Sequence, residues 1–344
     1  MSKPIESFIN QMPKVELHVH LEGSVRPETL IQLAAKYNVA LPAKNLNELK
    51  DWYTFKDFDH FIEVYMAISG CFRHADDIEL IAREFLIGQA AQNIKYSEVT
   101  FTPYTHREHV TFDEQLAAIN RARREAETNL GVTMRLVPDI SRHMRPVEES
   151  FLVADWAAQN MESGIIALGL GGPEIGNPPE IFQPAFERIR AAGLPSVPHA
   201  GETEGPASVW GAINALSAVR IGHGVRCLED PALVAFLREK QIPLEVCPTS
   251  NVCLKVVPTL AEHPLPKLLE EGLFVTINSD DPPMFNTTLT NEYLCITETF
   301  GFDTAQLEQF VFNGIQASLL PPDKKQTLEN EVRAEFAELE PELG

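Results

Sequence analysis

The chain has 344 residues, of which 44% are hydrophobic, and 49 acidic against 28 basic side chains give a net charge of −21. This charge disfavours nucleic acids and anionic membranes as partners, because their phosphate groups would be repelled. The sequence has no apolar run near the ~20 residues of a membrane-spanning helix, and its start lacks the basic and apolar segments of a secretory signal. We therefore expect a cytoplasmic protein.

The cysteine content agrees with a reducing compartment. The five cysteines are odd in number and form no Cys-x-x-Cys pair, so we expect free thiols rather than disulfides. Cys247 and Cys253 flank a predicted strand end, but their spacing does not suit a two-cysteine metal clip. Burial as small apolar side chains is the expected outcome for both.

Short β-branched runs alternate with longer segments of helical period along the chain. The predicted strands cover residues 15–20, 96–103, 133–141, 164–171, 194–202, 219–224, 242–250 and 274–281. The predicted helices between them cover residues 77–92, 112–130, 147–163, 181–192, 206–216, 231–240 and 265–272. This alternation implies parallel strands joined by crossover helices, and eight units predict an α/β fold, a closed (β/α)8 TIM barrel.

Two closing helices are predicted after the eighth strand, over residues 289–300 and 303–319. The segment 325–344 is predicted to be a charged helix that frays into a tail. The sequence contains neither a solenoid repeat nor a low-complexity linker. We therefore expect residues 1–344 to form a single barrel domain.

The stretch 25–70 is too long for one crossover between strands. We expect it to form extra helices over the C-terminal mouth of the barrel. Phe58, Phe61 and Ile62 are candidates for an apolar lid on a binding site there. Ordinary packing of these aromatic side chains between helices is the alternative.

Four short motifs rich in metal-binding side chains end predicted strands: His18-Val19-His20, His199-Ala200-Gly201-Glu202, Gly222-His223-Gly224 and Ser279-Asp280-Asp281-Pro282. In the first motif, the i, i+2 spacing places both imidazoles on one face of a strand. The C-terminal ends of barrel strands share one mouth, so the four motifs should converge. A third imidazole, His199, and the Asp280 carboxylate would complete the nitrogen and oxygen ligands that zinc prefers in hydrolytic sites.

The remaining polar residues of these motifs are candidates for proton transfer. Glu202 follows His199 by three residues, so we expect it beside the metal but not bound to it. An acid at the start of the next helix is the alternative. His223 has glycine on both sides, which suggests close approach of a substrate; a buried structural histidine is the alternative. Asp280 and Asp281 would point to opposite sides of a strand, which predicts one on the metal and one on the substrate.

The glycine-rich loop 169–174 superficially resembles a dinucleotide-binding fingerprint. It lacks the required spacing, and Pro173 prevents an immediate helix start, so we reject that interpretation. Glycine at these positions instead allows backbone N–H groups to approach a flat ligand.

Together these motifs resemble the adenosine and adenine deaminase family of the amidohydrolase superfamily, from about Pro13 to Phe310. The residues that carry the resemblance are Pro13-Lys14-Val15-Glu16-Leu17-His18-Val19-His20-Leu21-Glu22-Gly23, His199-Ala200-Gly201-Glu202, Gly222-His223-Gly224, Cys247-Pro248-Thr249-Ser250-Asn251 and Ser279-Asp280-Asp281-Pro282. The resemblance implies one zinc ion per chain, held by His18, His20, His199 and Asp280. Relatives with two metals usually have a carboxylated lysine at the end of the fourth strand, where this chain has 169–172.

The resemblance also implies roles in catalysis. Glu202 would pass a proton to N1 of a purine, and His223 would hold the attacking hydroxide. Asp281 would contact the hydroxide and N7, and Gly172 would offer its backbone N–H to N3. Water would add at C6 and ammonia would leave, which is the hydrolytic deamination of a 6-aminopurine.

Two departures from the family pattern bear on the substrate. Glu22 lies where adenosine deaminases commonly have an Asp that contacts the ribose hydroxyls, and Gly169 replaces another Asp. The segment 280–289 is similar to the nucleoside enzymes, whereas 174–179 resembles the adenine deaminases. We expect adenosine as the substrate, converted to inosine. Adenine, or a 5′-modified adenosine such as aminodeoxyfutalosine, is the alternative.

The other expected substrate contacts are His20, Glu22, Phe58 and Phe61. A non-catalytic zinc-binding scaffold is the competing class of function. Such a protein should have lost Glu202, His223 or Asp281, whereas all three are present. The sequence does not predict an oligomeric state.

Overall fold

The computed structural model describes residues 3–339, whose central feature is a sheet of eight parallel strands in sequence order. The strands are β1 (Lys14–His20), β2 (Ile94–Phe101), β3 (Thr133–Ser141), β4 (Leu168–Gly171), β5 (Ser196–Ala200), β6 (Ile221–His223), β7 (Leu244–Val246) and β8 (Val275–Ile277). The segment after β8 returns to β1, because Asp280 N–H donates to His18 O at 3.1 Å and Asp280 O accepts from His20 N–H at 2.8 Å. The predicted (β/α)8 TIM barrel is confirmed.

Residues 3–339 also contain sixteen α-helices, most of which surround the barrel. They are α1 (Lys3–Gln11), α2 (Pro27–Lys36), α3 (Leu46–Trp52), α4 (Phe58–Ser69), α5 (Ala75–Ala91), α6 (Pro103–His106), α7 (Phe112–Asn129), α8 (Ser150–Gln159), α9 (Gln183–Ala191), α10 (Pro206–Leu216), α11 (Pro231–Lys240), α12 (Pro248–Cys253), α13 (Leu265–Glu270), α14 (Leu289–Phe300), α15 (Thr304–Ala317) and α16 (Pro322–Leu339). None of these helices has the length and apolar character needed to cross a bilayer.

Local sequence explains where several of the crossover helices begin. Proline at the first position starts α10 and α11 at the predicted residues, because its fixed φ suits the first turn and its missing N–H is not needed there. A capping box starts α7, in which Thr111 and Glu114 each accept a hydrogen bond from the backbone N–H of the other. The helical segments of the sequence therefore carry their own start signals.

Five strands are shorter than predicted, among them those expected over residues 194–202, 242–250 and 274–281. β5 ends before Gly201, whose φ of +70° turns the chain, and β7 ends before Pro248 begins α12. β8 ends at Ile277, and Asp280 adopts a left-handed φ of +64°. Glu202, Asp280 and Asp281 therefore lie in turns beyond the strands, whereas the motif histidines lie on β1, β5 and β6.

The extra helices predicted in 25–70 are α2, α3 and α4. Helix α4 begins after Asp57, whose side chain accepts the His60 N–H at 2.8 Å. It lies over the C-terminal mouth, where the Phe61 ring stacks on the Phe285 ring with centroids 5.6 Å apart. At the other end of the chain, the charged helix predicted over 325–344 corresponds to α16, and its predicted tail, 340–344, lies outside the described residues.

Candidate active site

Three imidazoles and one carboxylate meet at the C-terminal end of the barrel. The ligand atoms of His18, His20, His199 and Asp280 all lie within 4.8 Å of one another, and all four residues are buried. His20 Nε2 is 3.1 Å from His199 Nε2 and 3.3 Å from Asp280 Oδ1. His18 Nε2 is 3.5 Å from the same carboxylate oxygen. The four side chains that the sequence motifs placed at strand ends are thus brought together.

This arrangement fits a tetrahedral metal ion. Bonds of about 2.0–2.2 Å in a tetrahedron separate the ligand atoms by about 3.3–3.6 Å. The separations of 3.1, 3.3 and 3.5 Å are close to this range. His18 Nε2 is buried and has no hydrogen-bond partner among the described residues, as expected of an atom whose partner is an ion.

A buried network behind the cluster orients His18. Its Nδ1 lies 2.8 Å from Glu245 Oε2, and Arg220 Nε donates to Glu245 Oε1 at 2.5 Å. Burial alone would raise the pKa of Glu245, but the adjacent Arg220 and the hydrogen bond with His18 hold it below its usual value. An ionised Glu245 keeps the proton of His18 on Nδ1 and leaves Nε2 free for a metal. The sequence analysis missed this network, since neither residue belongs to a recognised motif.

Glu202 lies beside the metal-binding cluster and lines the cavity above it. Its side chain is buried, and its Oε1 has no hydrogen-bond partner within residues 3–339. Burial, followed by the negative charges of Asp280 and Glu174, raises the pKa of Glu202 well above its usual value. A raised pKa favours the protonated form, and a protonated carboxyl group that faces a cavity can donate a proton to a bound molecule.

A second buried acid, Glu174, fixes the turn that carries Glu202. The Glu174 carboxylate accepts backbone N–H groups from Gly201 at 2.8 Å, Glu202 at 2.9 Å and Thr203 at 2.8 Å. The Ser208 hydroxyl donates to the same carboxylate. The sequence analysis considered this loop only for its glycines and missed Glu174. An acid in a loop directly after a strand was the signal that could have indicated it.

His223 lies at the end of β6 with a left-handed φ of +62°, and its Nε2 is 3.8 Å from Glu202 Oε1. The flanking glycines were expected to admit substrate, and this expectation is wrong. A Cβ on Gly222 would lie 2.8 Å from His18 Cε1, and one on Gly224 would lie 2.6 Å from Leu244 Cδ2. Both glycines make room for protein side chains rather than for a ligand.

Asp280 and Asp281 were expected to point to opposite sides of a strand. The left-handed conformation of Asp280 breaks the extended geometry, so both residues line the same cavity. Burial and the charge of Asp280 raise the pKa of Asp281 well above its usual value. A Cβ on Gly23 would overlap the Asp281 carboxyl group, so the glycine of this turn provides the space for that side chain.

The cavity encloses about 650 Å³, including its open mouth. Its wall includes most of the predicted substrate contacts, namely His20, Phe58, Phe61, Gly172 and Asp281. It also includes residues that the sequence analysis did not identify, among them Tyr65, Met66, Thr102, Asp139, His143 and Leu254. Thr102 and Asp139 lie at the ends of predicted strands, so their position was the available signal.

Glu22, which was expected to contact the substrate, is not part of the cavity wall. It is fully buried behind the wall, and its Oε1 accepts the Thr102 N–H at 2.9 Å and lies 3.0 Å from His106 Nε2. Burial would raise the pKa of Glu22, but the hydrogen bond and charge of His106 lower it. The short helical turn Glu22–Ser24 directs this side chain toward β2 rather than toward the mouth.

Comparison with known proteins agrees with this geometry. The sequence model of the adenosine deaminase family matches residues 13–335. An aminodeoxyfutalosine deaminase of Streptomyces coelicolor is 41% identical, over 96% of this chain and 86% of that protein. The crystal structure of an adenine deaminase from Arthrobacter aurescens superposes with a TM-score of 0.89 at 32% identity, over 94% of this chain and 98% of the other.

A zinc-bound amidohydrolase from Burkholderia ambifaria superposes with a TM-score of 0.91 at 29% identity, over 100% of this chain and 95% of the other. The fold, the cluster of metal-binding side chains and these matches define a hydrolase that acts on carbon–nitrogen bonds. The chain belongs to the adenosine deaminase family of the amidohydrolase superfamily, as the sequence motifs predicted.

Proposed function

We propose that the enzyme binds one zinc ion and hydrolytically deaminates a 6-aminopurine nucleoside that is extended at its 5′ end, with aminodeoxyfutalosine as the candidate substrate. The observation that carries this proposal is the buried Glu202 carboxyl beside the His and Asp cluster, in a cavity of about 650 Å³. The relative named aminodeoxyfutalosine deaminase, at 41% identity, supports the choice of substrate.

The zinc ion would be held by the four clustered side chains, His18, His20, His199 and Asp280. When bound there, it would supply Lewis-acid activation of water at neutral pH. Glu245 would keep His18 in the tautomer that binds metal through Nε2, at the observed Nδ1 to Oε2 distance of 2.8 Å.

Glu202 would donate its proton to N1 of the purine. This step disrupts the aromatic ring and leaves C6 short of electrons, so that water can add there. His223 Nε2 lies 3.8 Å from Glu202 Oε1 and 3.9 Å from Asp280 Oδ2, where it can orient the attacking oxygen toward C6. The C6–O bond then forms and the bond from C6 to the exocyclic nitrogen breaks. One proton of the water goes to that nitrogen, which leaves as ammonia, and the other returns to Glu202, while N1 keeps the proton it received.

The opposite edge of the purine would be fixed by two further groups. Burial raises the pKa of Asp281, which favours the protonated form that would donate a hydrogen bond to N7. The backbone N–H of Gly172, the residue after β4, would donate to N3. Protonated acids at N1 and N7 and an N–H at N3 match the three acceptor nitrogens of a 6-aminopurine.

The mouth of the cavity offers room for a 5′ substituent. Phe58, Ile62 and Met66 form an apolar wall on α4, where Met66 is 48% exposed. Thr105 and His143 lie on the cavity wall with them and add polar groups. An extended substituent would cover the exposed part of this wall, which a free base would leave in water.

Adenine is the second candidate substrate. Glu22 is buried behind the wall instead of facing a ribose, and the similar Arthrobacter aurescens structure is that of an adenine deaminase. The burial of Glu22 also removes the ribose contact on which recognition of adenosine was expected to depend. Adenosine, the third candidate, has neither this contact nor a 5′ substituent that would cover the apolar wall.

The substrate is tested by incubating zinc-loaded enzyme with aminodeoxyfutalosine, adenosine and adenine, and following the ultraviolet change on deamination. We expect the highest kcat/KM for aminodeoxyfutalosine. A higher value for adenine or adenosine would replace the proposed substrate, and no turnover of any of the three would refute the proposed reaction.

We also infer that residues 1–344 form one domain and that the enzyme works in the cytoplasm as part of purine metabolism. Cys71, Cys227, Cys247, Cys253 and Cys295 are all free thiols. Five free thiols in one chain are typical of a reducing compartment.

A further inference from the structure

The order of the strands around the barrel determines which residues face each part of the proposed substrate. The eight strands follow one another in sequence order, so their C-terminal ends form a ring from β1 to β8. In the proposed function, N3 faces Gly172 after β4, N1 faces Glu202 after β5 and N7 faces Asp281 after β8. N9 lies between N3 and N7 on the side away from N1. A group attached to N9 would therefore face the ends of β1, β2 and β3.

A carboxylate that the proposed reaction does not use lies on this arc of the ring. Asp139, in β3, lines the cavity although it is only 3% exposed. Its Oδ1 accepts a hydrogen bond from Thr102 Oγ1 at 2.6 Å. A Cβ on Gly171 would collide with Asp139 Oδ2. The missing side chain of Gly171 therefore leaves space for this carboxylate at the cavity wall.

A hydroxyl group without a partner lies on the same side of the cavity. Tyr65, from α4, lines the cavity, and its hydroxyl is buried with no hydrogen-bond partner among residues 3–339. Burial, followed by the charges of Glu22, Asp281 and Asp139, raises the pKa of Tyr65 well above its usual value, and Thr102, the hydrogen-bond partner of Asp139, lowers it. Buried polar atoms are nearly always paired, so an unpaired hydroxyl on a cavity wall indicates a group supplied by a ligand.

We propose that Asp139, held by Thr102 and assisted by the Tyr65 hydroxyl, binds the sugar hydroxyl groups of the substrate and so selects nucleosides over free adenine. The proposal rests on the purine orientation of the proposed function. Free adenine would present only an N9–H donor to this arc, which leaves one of the two protein groups without a partner. Ribose hydroxyls both donate and accept, so they pair with the Asp139 carboxylate and the Tyr65 hydroxyl together.

The test compares wild-type enzyme with Asp139→Asn and Asp139→Ala, on adenosine, its 2′-deoxy and 3′-deoxy analogues, and adenine. In the wild type, the deoxy analogue that lacks the contacted hydroxyl should have a kcat/KM about 10- to 100-fold lower than adenosine, because a buried hydrogen-bonding group of the protein would lose its partner. Asp139→Ala should lower kcat/KM for adenosine by a similar factor and leave adenine unchanged. In Asp139→Ala, the deoxy analogue that lacks the contacted hydroxyl should then have the same kcat/KM as adenosine.

The matched control is Glu148→Gln, an exposed carboxylate outside the cavity, which should not change any of these values. Zinc content and circular dichroism establish that each variant is folded, and Asp139→Asn preserves the shape of the side chain if the alanine variant is unstable. An equal loss for adenosine and adenine would overturn the proposal, because it would indicate a structural role. A deoxy penalty that persists in Asp139→Ala would also overturn it.

An error in the proposed function and an error in the role of Asp139 would give different experimental results. If wild-type enzyme deaminates neither these compounds nor aminodeoxyfutalosine, the proposed function is wrong, and the role proposed for Asp139 is then wrong as well. If wild type deaminates a nucleoside and both Asp139 variants retain its full kcat/KM, only the role of Asp139 is wrong.

Discussion

The carboxylate of Glu174 accepts the backbone N–H of Glu202 at 2.9 Å, so one buried acid determines where another is held. The N–H groups of Gly201 and Thr203 donate to the same carboxylate, both at 2.8 Å. The turn that follows β5 is therefore fixed from the loop that follows β4. Placement of Glu202, the proposed proton donor, depends on this contact as well as on the strand that carries His199.

Glu174→Gln should impair catalysis without removing the metal site. The amide has one acceptor oxygen instead of two, and its NH₂ group would face backbone donors. A displacement of Glu202 by about 1 Å costs up to about 100-fold, so we expect kcat to fall 10- to 100-fold with little change in KM. Steady-state kinetics with zinc analysis tests this. Glu180→Gln, an exposed acid in the same loop region, is the control, and unchanged kcat in Glu174→Gln would refute the positioning role.

Glu202→Gln should abolish most of the turnover while zinc stays bound. The amide cannot give a proton to N1, and general acid catalysis of this kind contributes about 10²- to 10⁴-fold. We expect kcat to fall within that range, as measured by ammonia release. Glu204→Gln removes a neighbouring acid that lies outside the cavity wall and should retain activity. Full activity in Glu202→Gln would contradict the assigned proton transfer.

Gly23→Ala should displace Asp281 from the cavity. A Cβ at this position would overlap the Asp281 carboxyl group, which must then move. We expect kcat/KM to fall by about 100-fold, the usual consequence of a displaced contact with the reacting molecule. Gly88→Ala is a matched control, because nothing lies within 4 Å of a Cβ at this position in α5 and alanine favours helices. Wild-type kinetics in Gly23→Ala would exclude Asp281 from the reaction.

Glu245→Gln should weaken zinc binding rather than the chemical step. Without the carboxylate, the His18 tautomer is no longer fixed, and partners of this kind contribute about 10- to 100-fold to metal affinity. Chelator competition measures the Kd for zinc directly. Glu239→Gln, an exposed acid at the end of α11, should leave the Kd unchanged. The same Kd in Glu245→Gln as in the wild type would show that this contact has no role in metal binding.

The sequence predicted the barrel and the convergence of its four polar motifs, because periodicity reports local structure and parallel strands end at one mouth. It did not predict Glu174 or Glu245, since their partners lie in other strands and turns that only the folded barrel brings close. The sequence also did not predict that Glu22 is buried behind Thr102. A side chain at a strand end can turn toward either the mouth or the neighbouring strand, and residue spacing does not distinguish the two. The left-handed φ of Asp280 left no signal in residue spacing.

The most direct test of the account follows deamination of aminodeoxyfutalosine in one preparation while zinc is removed by a chelator and then restored, with the metal content measured at each step. We predict that ammonia release falls with the loss of one zinc ion per chain and returns in proportion to the zinc restored. Full activity in metal-free protein, or zinc-loaded protein that releases no ammonia, would contradict the account.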